Sequence, residues 1–189
     1  MSTVFSQIAS DAFEKMQFKA GMVLNTFDPQ APKKPEDAAI VCATTGGITA
    51  SCVATYSDMG SDVDNCPRGT KEMKVLDSWD CKMSFTALDI STAMLKLSLG
   101  AATVGGNKVT PKMDLEETDF ADEIWWVGDL IGGGWAAVCL KNVLSSGGLS
   151  IKTTNDGKGN LSVELQGHFS INSQDEVPME FYASVDAVA

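Results

Sequence analysis

The stretch Asp80–Gly100 constrains the fold most, because a strand pattern there runs directly into a helix pattern. Residues Cys81–Ala87 alternate between apolar and polar types, which is the period-two signature of a strand with one buried face. From about residue 90 to 99, apolar residues recur instead at helical spacing, after the candidate N-caps Asp89 and Ser91 and before a terminating glycine. A helix this short is not stable alone, so we expect it to pack against a sheet supplied by the rest of the chain.

The rest of the sequence predicts strands. Strand-like patterns cover Ala20–Thr26, Ala39–Thr44, Ile48–Thr55, Lys108–Met113, Ile124–Val127, Trp135–Leu144, Leu149–Thr154, Leu161–Asn172 and Met179–Ala183. Glycines at Gly46-Gly47 and Gly132–Gly134 predict hairpin turns between neighbouring strands. We therefore expect residues 1–189 to form a single, mainly β domain. It should be a β-sandwich or small barrel, with the one internal helix at about residues 90–99 packed against the sheet.

Three segments are predicted to project from this core: the N-terminal arm, residues 27–37 and residues 56–79. The N-terminal arm, residues 1–19, has apolar residues at helical spacing but is interrupted by charges, so it lacks the apolar run of a signal peptide. We expect assembly in the cytoplasm and an arm that docks on a neighbour or on its own domain through Phe5, Ile8 and Phe13. The segment 56–79 is too polar for a core and predicts a long functional loop. Its charged residues have mixed sign: Asp58, Asp62, Asp64, Arg68, Lys71 and Lys74.

Composition and missing motifs exclude several classes of function. With 25 acidic and 14 basic residues the net charge is −11, which disfavours a surface built to grip nucleic acid phosphates. No apolar run approaches the roughly 20 residues that cross a bilayer. The sole histidine, His168, has no neighbours typical of a catalytic group, and Asp62 and Asp64 lack the other ligands of a calcium loop. We therefore expect no catalytic residue, no metal and no cofactor.

The five cysteines are widely spaced and include no Cys-x-x-Cys pair, which disfavours a zinc site. Cys42, Cys81 and Cys139 lie in apolar strand patterns, so we expect free, buried thiols at these positions. Cys42 and Cys52 lie symmetrically about Gly46-Gly47 and would face each other if these glycines formed a hairpin turn. That pair is the predicted candidate for a disulfide.

Seven short segments carry a resemblance to a known family. They are Ala20–Leu24 (AGMVL), Phe27–Pro29 (FDP), Cys42–Ile48 (CATTGGI), Tyr56–Asp58 (YSD), Asn65–Pro67 (NCP), Lys71–Lys74 (KEMK) and Gly167–His168 (GH). In order and residue type they resemble the major tail tube proteins of long-tailed (siphovirus-like) bacteriophages and prophages of Gram-positive bacteria. The resemblance implies a β-sandwich with one helix at its side, and homo-hexameric rings that stack into a hollow tube for DNA delivery. It also implies a virion protein whose partners are the tape measure, tail terminator and distal tail proteins.

Within such a tube, the charged loop 56–79 is the predicted ring-stacking contact. The wall of a DNA conduit should be polar or acidic, because a basic wall would bind phosphates and retain the DNA. Two strands with short polar side chains on one face are the candidates for this wall. Their residues are Thr49, Ser51 and Thr55 on one strand, and Ser162, Glu164 and Gln166 on the other. The sequence does not decide whether both sets face the lumen.

Two other functions stay open at this point. The first is a tube subunit of a contractile injection system or bacteriocin, to which the tail tube family is structurally similar. The second is a monomeric β-sandwich binding module, for instance for carbohydrate, with Trp125, Trp126 and Trp135 as a stacking platform. Adjacent strand residues point to opposite faces, so at least one of Trp125 and Trp126 is expected in the core.

Overall fold

The computed structural model describes residues 8–185. They form a mainly β fold with one α-helix, as the sequence predicts. The strands are β1 (Gln17–Leu24), β2 (Ile40–Cys42), β3 (Thr44–Asp58), β4 (Lys74–Ala87), β5 (Ala102–Gly105), β6 (Lys108–Pro111), β7 (Ala121–Leu130), β8 (Trp135–Ser145), β9 (Ser150–Lys152), β10 (Asn160–Gly167) and β11 (Met179–Ser184). The helix α1 spans Thr92–Leu99, and single 3-10 turns lie at Asp37–Ala39, Lys71–Met73 and Glu117–Asp119. Among these residues, no helix is long and apolar enough to cross a membrane.

Nine strands form one antiparallel sheet in the order β2-β1-β7-β8-β10-β4-β3, with β11 beside β8 and β9 beside β10. The strands β5 and β6 form a separate hairpin next to α1. β1 also approaches β3, at the other end of the strand order, so the sheet curls towards a barrel. Apolar residues of its strands point into this curl and form the main core, where Val23, Met83, Leu140, Leu161 and Leu165 are fully buried.

The helix lies where the sequence predicts, because both of its caps are present. The Ser91 hydroxyl accepts a hydrogen bond from the backbone N–H of Met94 (3.2 Å), and Gly100 ends the helix at φ 72°. Asp89, the other candidate cap, instead accepts the backbone N–H of Ala43 (2.7 Å). Met94 is buried in the main core, so tertiary packing stabilises this two-turn helix.

A second apolar cluster covers the face of β7 and β8 that points away from the main core. Phe27, from the loop between β1 and β2, packs edge-to-face on Trp125 and Trp135, with ring centroids 5.5 and 5.3 Å away. Leu24 and Cys139 are fully buried in the same cluster. The strands β7 and β8 are therefore covered on both faces, which explains why their sequences are almost continuously apolar.

The predicted hairpin at Gly46-Gly47 is wrong. The strand β2 pairs with β1, whereas β3 continues through both glycines and pairs with β4. The two glycines have φ values of 78° and 77° and lie where the β3–β4 register shifts, between Thr45 and Ile48. They therefore form an irregularity within one strand, and a glycine pair suits such an irregularity as well as it suits a turn.

The predicted hairpin across Gly132–Gly134 is confirmed, because it joins β7 and β8; the strands β9 and β10 pair as well. The strand predicted as far as Asn172 ends earlier, at Gly167. A Cβ atom at this glycine would lie 2.8 Å from Leu140 Cδ1 and 2.9 Å from the Pro178 carbonyl oxygen. The backbone approaches its neighbours closely here, and β10 cannot continue with the same alternation.

The N-terminal arm is shorter than the predicted residues 1–19, because β1 already begins at Gln17. The residues just before β1 dock on the turn between β7 and β8, where the backbone N–H of Gly132 donates to the Glu14 carbonyl (2.9 Å). Two of the predicted arm contacts, Ile8 and Phe13, are 70% and 65% exposed, and Phe5 lies outside the described residues. The described part of the arm, residues 8–16, thus contacts its own domain through its backbone and leaves the side chains of Ile8 and Phe13 exposed.

Candidate functional site

The six residues predicted to line a lumen lie on one face of the sheet. They belong to β3 and β10, which flank β4, and the three strands are in register: Thr49 is opposite Ser84, and Ser84 is opposite Glu164. Directly opposed residues point to the same side of a sheet, so the two sets form one surface. We call it the polar face; its residues are Thr49, Ser51, Val53, Thr55, Ser78, Asp80, Lys82, Ser84, Thr86, Ser162, Glu164 and Gln166.

The polar face carries one negative charge in excess, because its charged residues are Asp80, Lys82 and Glu164. Lys82 Nζ lies 2.6 Å from Asp80 Oδ2, and the Gln166 amide donates to Asp80 Oδ1 at 3.3 Å. The single cation is therefore paired within the face. Glu164 is exposed and forms no ion pair with any residue in the range 8–185. The surface is polar and weakly acidic.

The main core fixes which residues form the polar face. Ala50, Met83 and Leu165 form a row one residue further along the three strands and point to the opposite side. Met83 and Leu165 are fully buried. A register shift of one residue in β10 would bury Glu164 and expose Leu165, so such a shift is strongly disfavoured.

The strands β3 and β4 form a long hairpin, the edge hairpin, and β3 has no strand partner on its other side within residues 8–185. The predicted loop 56–79 is wrong in its bounds. The two strands pair as far as Asp58 and Lys74, so only residues 59–73 form the tip. The alternation of apolar and polar residues does not reveal these strands, because Asp77 has no partner in the β3–β4 ladder and shifts its register.

The outer end of the edge hairpin exposes apolar side chains. Val53, Tyr56, Val75 and Leu76 are 57%, 59%, 48% and 46% exposed. Tyr56 and Leu76 are directly opposed and therefore share one face. A long, unpaired edge strand with exposed apolar residues is a template for association with another strand. This hairpin is therefore the candidate assembly surface.

Asp58 stabilises the conformation of the tip of the edge hairpin. Its carboxylate accepts the backbone N–H groups of Gly69 (2.9 Å) and Gly60 (3.1 Å), and Lys74 Nζ lies 3.4 Å from it. These two backbone hydrogen bonds, and then Lys74, hold the pKa of Asp58 below its ordinary value. Asp58 and Lys74 are predicted stacking residues, but their side chains are engaged within their own hairpin.

The other predicted stacking residues, Asp62, Asp64, Arg68 and Lys71, are exposed on the tip. Lys71 lies 3.6 Å from Glu72 in a solvated pair. Asp62, Asp64 and Arg68 form no ion pair within the described chain. These three are the tip charges available to another molecule.

The predicted tryptophan platform is wrong. Trp125 and Trp135 are only 4% and 6% exposed, because Phe27 covers them. Trp126 is half-buried, and its indole N–H donates to the Ala20 carbonyl at 2.9 Å. The expectation that at least one of the adjacent pair belongs to the core is confirmed. These rings stabilise the fold and offer no exposed stacking surface.

All five cysteines are free thiols. Cys42, Cys81 and Cys139 are buried, as predicted, and burial is the main reason that the pKa of each is raised to about 12. The candidate disulfide between Cys42 and Cys52 is absent, because β2 and β3 do not form a hairpin. Cys52 instead lies opposite Cys81, with the two Sγ atoms 3.0 Å apart.

The sole histidine shows no catalytic arrangement. The ring of His168 packs edge-to-face on Phe120 with centroids 5.4 Å apart, and burial lowers its pKa. Its side chain forms no hydrogen bond within residues 8–185. In the same part of the chain, no three histidine, cysteine, aspartate or glutamate side chains cluster as metal ligands.

Comparison with protein-family models and with curated protein sequences gives no match. The candidate function therefore depends on the surfaces themselves. Sequence reasoning missed the contribution of β4, whose Asp80, Lys82 and Ser84 lie at the centre of the polar face. The alternation along β4 was a usable signal for them. The missing information was that β4 lies between β3 and β10.

Proposed function

We propose that this chain is the structural subunit of a phage tail tube, in which homo-hexameric rings stack into a hollow conduit for DNA. The polar face is the observation that carries the proposal. It unites both predicted lumenal sets in one surface next to an unpaired edge strand. A conduit wall must let a polyanion slide without retaining its phosphates. The polar face suits that task, since its only lysine is paired with Asp80.

Ring closure would use the edge hairpin. When β3 of one subunit pairs with the next subunit, the edge is removed and the polar face extends around the lumen. Such a contact joins two different surfaces of identical chains, which gives a closed ring when the rotation between subunits closes. The exposed side chains of Val53 and Tyr56 lie on the strand that this contact would cover.

Ring stacking would use the tip of the edge hairpin, residues 59–73, with help from the N-terminal arm. Asp62, Asp64 and Arg68 provide unpaired charges of both signs, which suit repeated contact with an identical copy. Ile8 and Phe13 provide exposed apolar area on the arm.

In this role the subunit has no catalytic task and needs no metal, cofactor or membrane. Its partners are further copies of itself and the tape measure, tail terminator and distal tail proteins, and DNA passes without specific binding. It assembles in the host cytoplasm and functions in the virion. The same surfaces would serve a contractile injection system or bacteriocin tube. A monomeric carbohydrate-binding module has less support, because Trp125 and Trp135 are buried.

The test is assembly of the full chain at high concentration, with its tail-assembly partners present, followed by size-exclusion chromatography and negative-stain microscopy. We expect six-fold rings or tubes. Tyr56→Lys should abolish them and leave a folded monomer, because it places a charge on the exposed edge strand, on the side away from the polar face. Ile151→Lys, at an exposed position on β9, is the matched control and should assemble normally. A wild-type chain that stays strictly monomeric under these conditions would refute the proposal.

A further inference from the structure

Two cysteines face each other across the edge hairpin. Cys52 on β3 and Cys81 on β4 are paired positions of the antiparallel ladder, and their sulfur atoms are 3.0 Å apart in a thiol–thiol hydrogen bond. Within residues 8–185, which contain all five cysteines, no other two cysteine sulfurs are in hydrogen-bond contact. The pair lies on the core side of the sheet, on the opposite side from the polar face.

Directly opposed positions of an antiparallel ladder suit a disulfide. Directly opposed residues of antiparallel strands have Cα atoms about 4.5 to 5.5 Å apart, within the range of about 4.4 to 6.8 Å that disulfides span. The sulfur atoms need to approach by only about 1 Å to reach the bond length of about 2.05 Å. Small side-chain rotations suffice for that movement, so β3 and β4 can keep their register.

The two thiols differ in solvent exposure, so Cys52 reacts before Cys81 with a reagent in solution. Cys52 is half-buried and opens into a groove of about 350 Å³ lined also by Trp79, Val177, Met179 and Phe181. Cys81 is completely buried. Burial, and then the neighbouring Cys52 and Asp80, raise the pKa of Cys81 to about 12, so its free thiol is a poor nucleophile towards reagents in solution.

We propose that Cys52 and Cys81 are a disulfide-forming site that locks the edge hairpin when the chain meets a low-molecular-weight disulfide such as oxidised glutathione. The Cys52 sulfur attacks one sulfur of the reagent, whose S–S bond breaks and releases a thiol that carries the proton from Cys52. The Cys81 sulfur then attacks Cys52 in the mixed disulfide and expels the second thiol, which takes the proton from Cys81. The protein loses two hydrogen atoms, and the reagent is reduced to two thiols.

The disulfide would covalently join β3 to β4, its only strand partner within residues 8–185. The strand β3 could then no longer separate from β4 near Cys52, and the register of the polar face would be fixed there. A reducing compartment keeps both cysteines as free thiols, whereas an oxidising compartment favours the disulfide. For a tube protein that change comes when the virion leaves the cell; this consequence rests on the proposed function, whereas formation of the disulfide does not.

The experiment treats the folded full chain with oxidised glutathione, blocks the remaining thiols under denaturing conditions and maps the proteolytic peptides by mass spectrometry. We expect a peptide in which Cys52 is linked to Cys81, with the loss of two blockable thiols, and reversal by dithiothreitol. Cys66→Ser is the matched control, because Cys66 is also half-buried but has no partner thiol; the linked peptide should persist in this variant. Cys52→Ser should abolish the link and leave Cys81 as a free thiol, without a glutathione adduct, until the blocking step.

A second measurement tests whether the disulfide restrains β3 against β4. Amide hydrogen exchange of residues 53–56 should be several-fold slower in the oxidised chain than in the reduced chain, and dithiothreitol should restore the original rate. Two results would overturn the proposal: a stable glutathione adduct on Cys52 with no linked peptide, or a link that joins Cys52 to a cysteine other than Cys81. Both are read on the isolated chain, so they are independent of whether tubes assemble.

Discussion

Charge reversal at Glu164 is the sharpest test of whether the polar face lines a lumen. Asp80 and Lys82 neutralise each other, so Glu164 sets the net charge of this face at −1, and Glu164→Lys changes it to +1. In a ring of six subunits the wall would change from six negative charges to six positive ones. The substitution should leave the subunit folded, because Glu164 is exposed and both side chains begin with the same methylene groups.

The magnitude follows from the symmetry of the ring. Each phosphate that a cation neutralises contributes about −0.9 to the slope of log affinity against log salt concentration, so six lysines in one ring give a slope of about −5. The wild-type face, with its one lysine paired, should show almost no salt dependence. Tubes of the variant should therefore retain DNA at low salt and release it as salt increases.

The assay compares DNA passage through assembled tubes over a salt series, after mass spectrometry has confirmed the substitution in the tubes. Asp122→Lys is the control: it makes the same change of two charges at an exposed position on β7, outside the polar face. We expect slow or incomplete ejection only for Glu164→Lys. If the two variants and the wild type eject DNA at the same rate at low salt, the polar face does not line the lumen.

Two further predictions concern stability. Leu165→Ala, at a fully buried position directly beneath the polar face, should lower the free energy of unfolding by about 2.7 to 5 kcal/mol in urea titrations. Ser162→Ala, exposed on the same strand, should change it by no more than about 0.5 kcal/mol, and equal effects would contradict the assigned faces of β10. Asp119 accepts a hydrogen bond from the backbone N–H of Glu116 (2.9 Å) and lies 2.9 Å from Lys112 Nζ, and these two interactions lower its pKa. The contribution of Asp119 to the free energy of unfolding is therefore fully present above its ordinary pKa and is lost as the pH falls through the lowered value. The protection factors of the amides around Glu117–Asp119, measured relative to the intrinsic exchange rate at each pH, should therefore fall in acid, and Asp119→Asn should remove this fall; an equal fall in the variant would contradict the assigned role of Asp119.

The parts of the fold that the sequence predicts are those specified by local chemistry. Ser91 and Gly100 cap the helix through groups only a few residues away, so the sequence contains the whole signal. The alternation in β10 also identifies its buried and exposed residues correctly, because one strand needs only its own period to define two faces. Both signals are independent of which strands are neighbours.

The parts that the sequence misses depend on pairing between distant strands. Nothing near Gly46 or Gly47 indicates that β3 pairs with β4 rather than with β2, since the glycines fit both arrangements. The same error assigned Cys52 to Cys42 instead of Cys81. The extra residue Asp77 interrupts the alternation of β4, so the outer half of the edge hairpin was predicted as a loop. The unrecognised pairing of β3 with β4 therefore accounts for the wrong cysteine pair and the incomplete polar face.

The distribution of burial across the sheet indicates where its function lies. The strands β7 and β8 have apolar layers on both faces, with Phe27 closing the outer one, so this half of the sheet cannot offer a polar wall. The half formed by β10, β4 and β3 is covered on one face only and ends in an unpaired edge. If the molecule acted alone, covering that edge with a short strand or a charged loop would protect it from aggregation. The chain instead extends β3 over 15 residues and exposes Tyr56 of β3 and the opposed Leu76 of β4, which favours a sheet completed by another copy of the same chain.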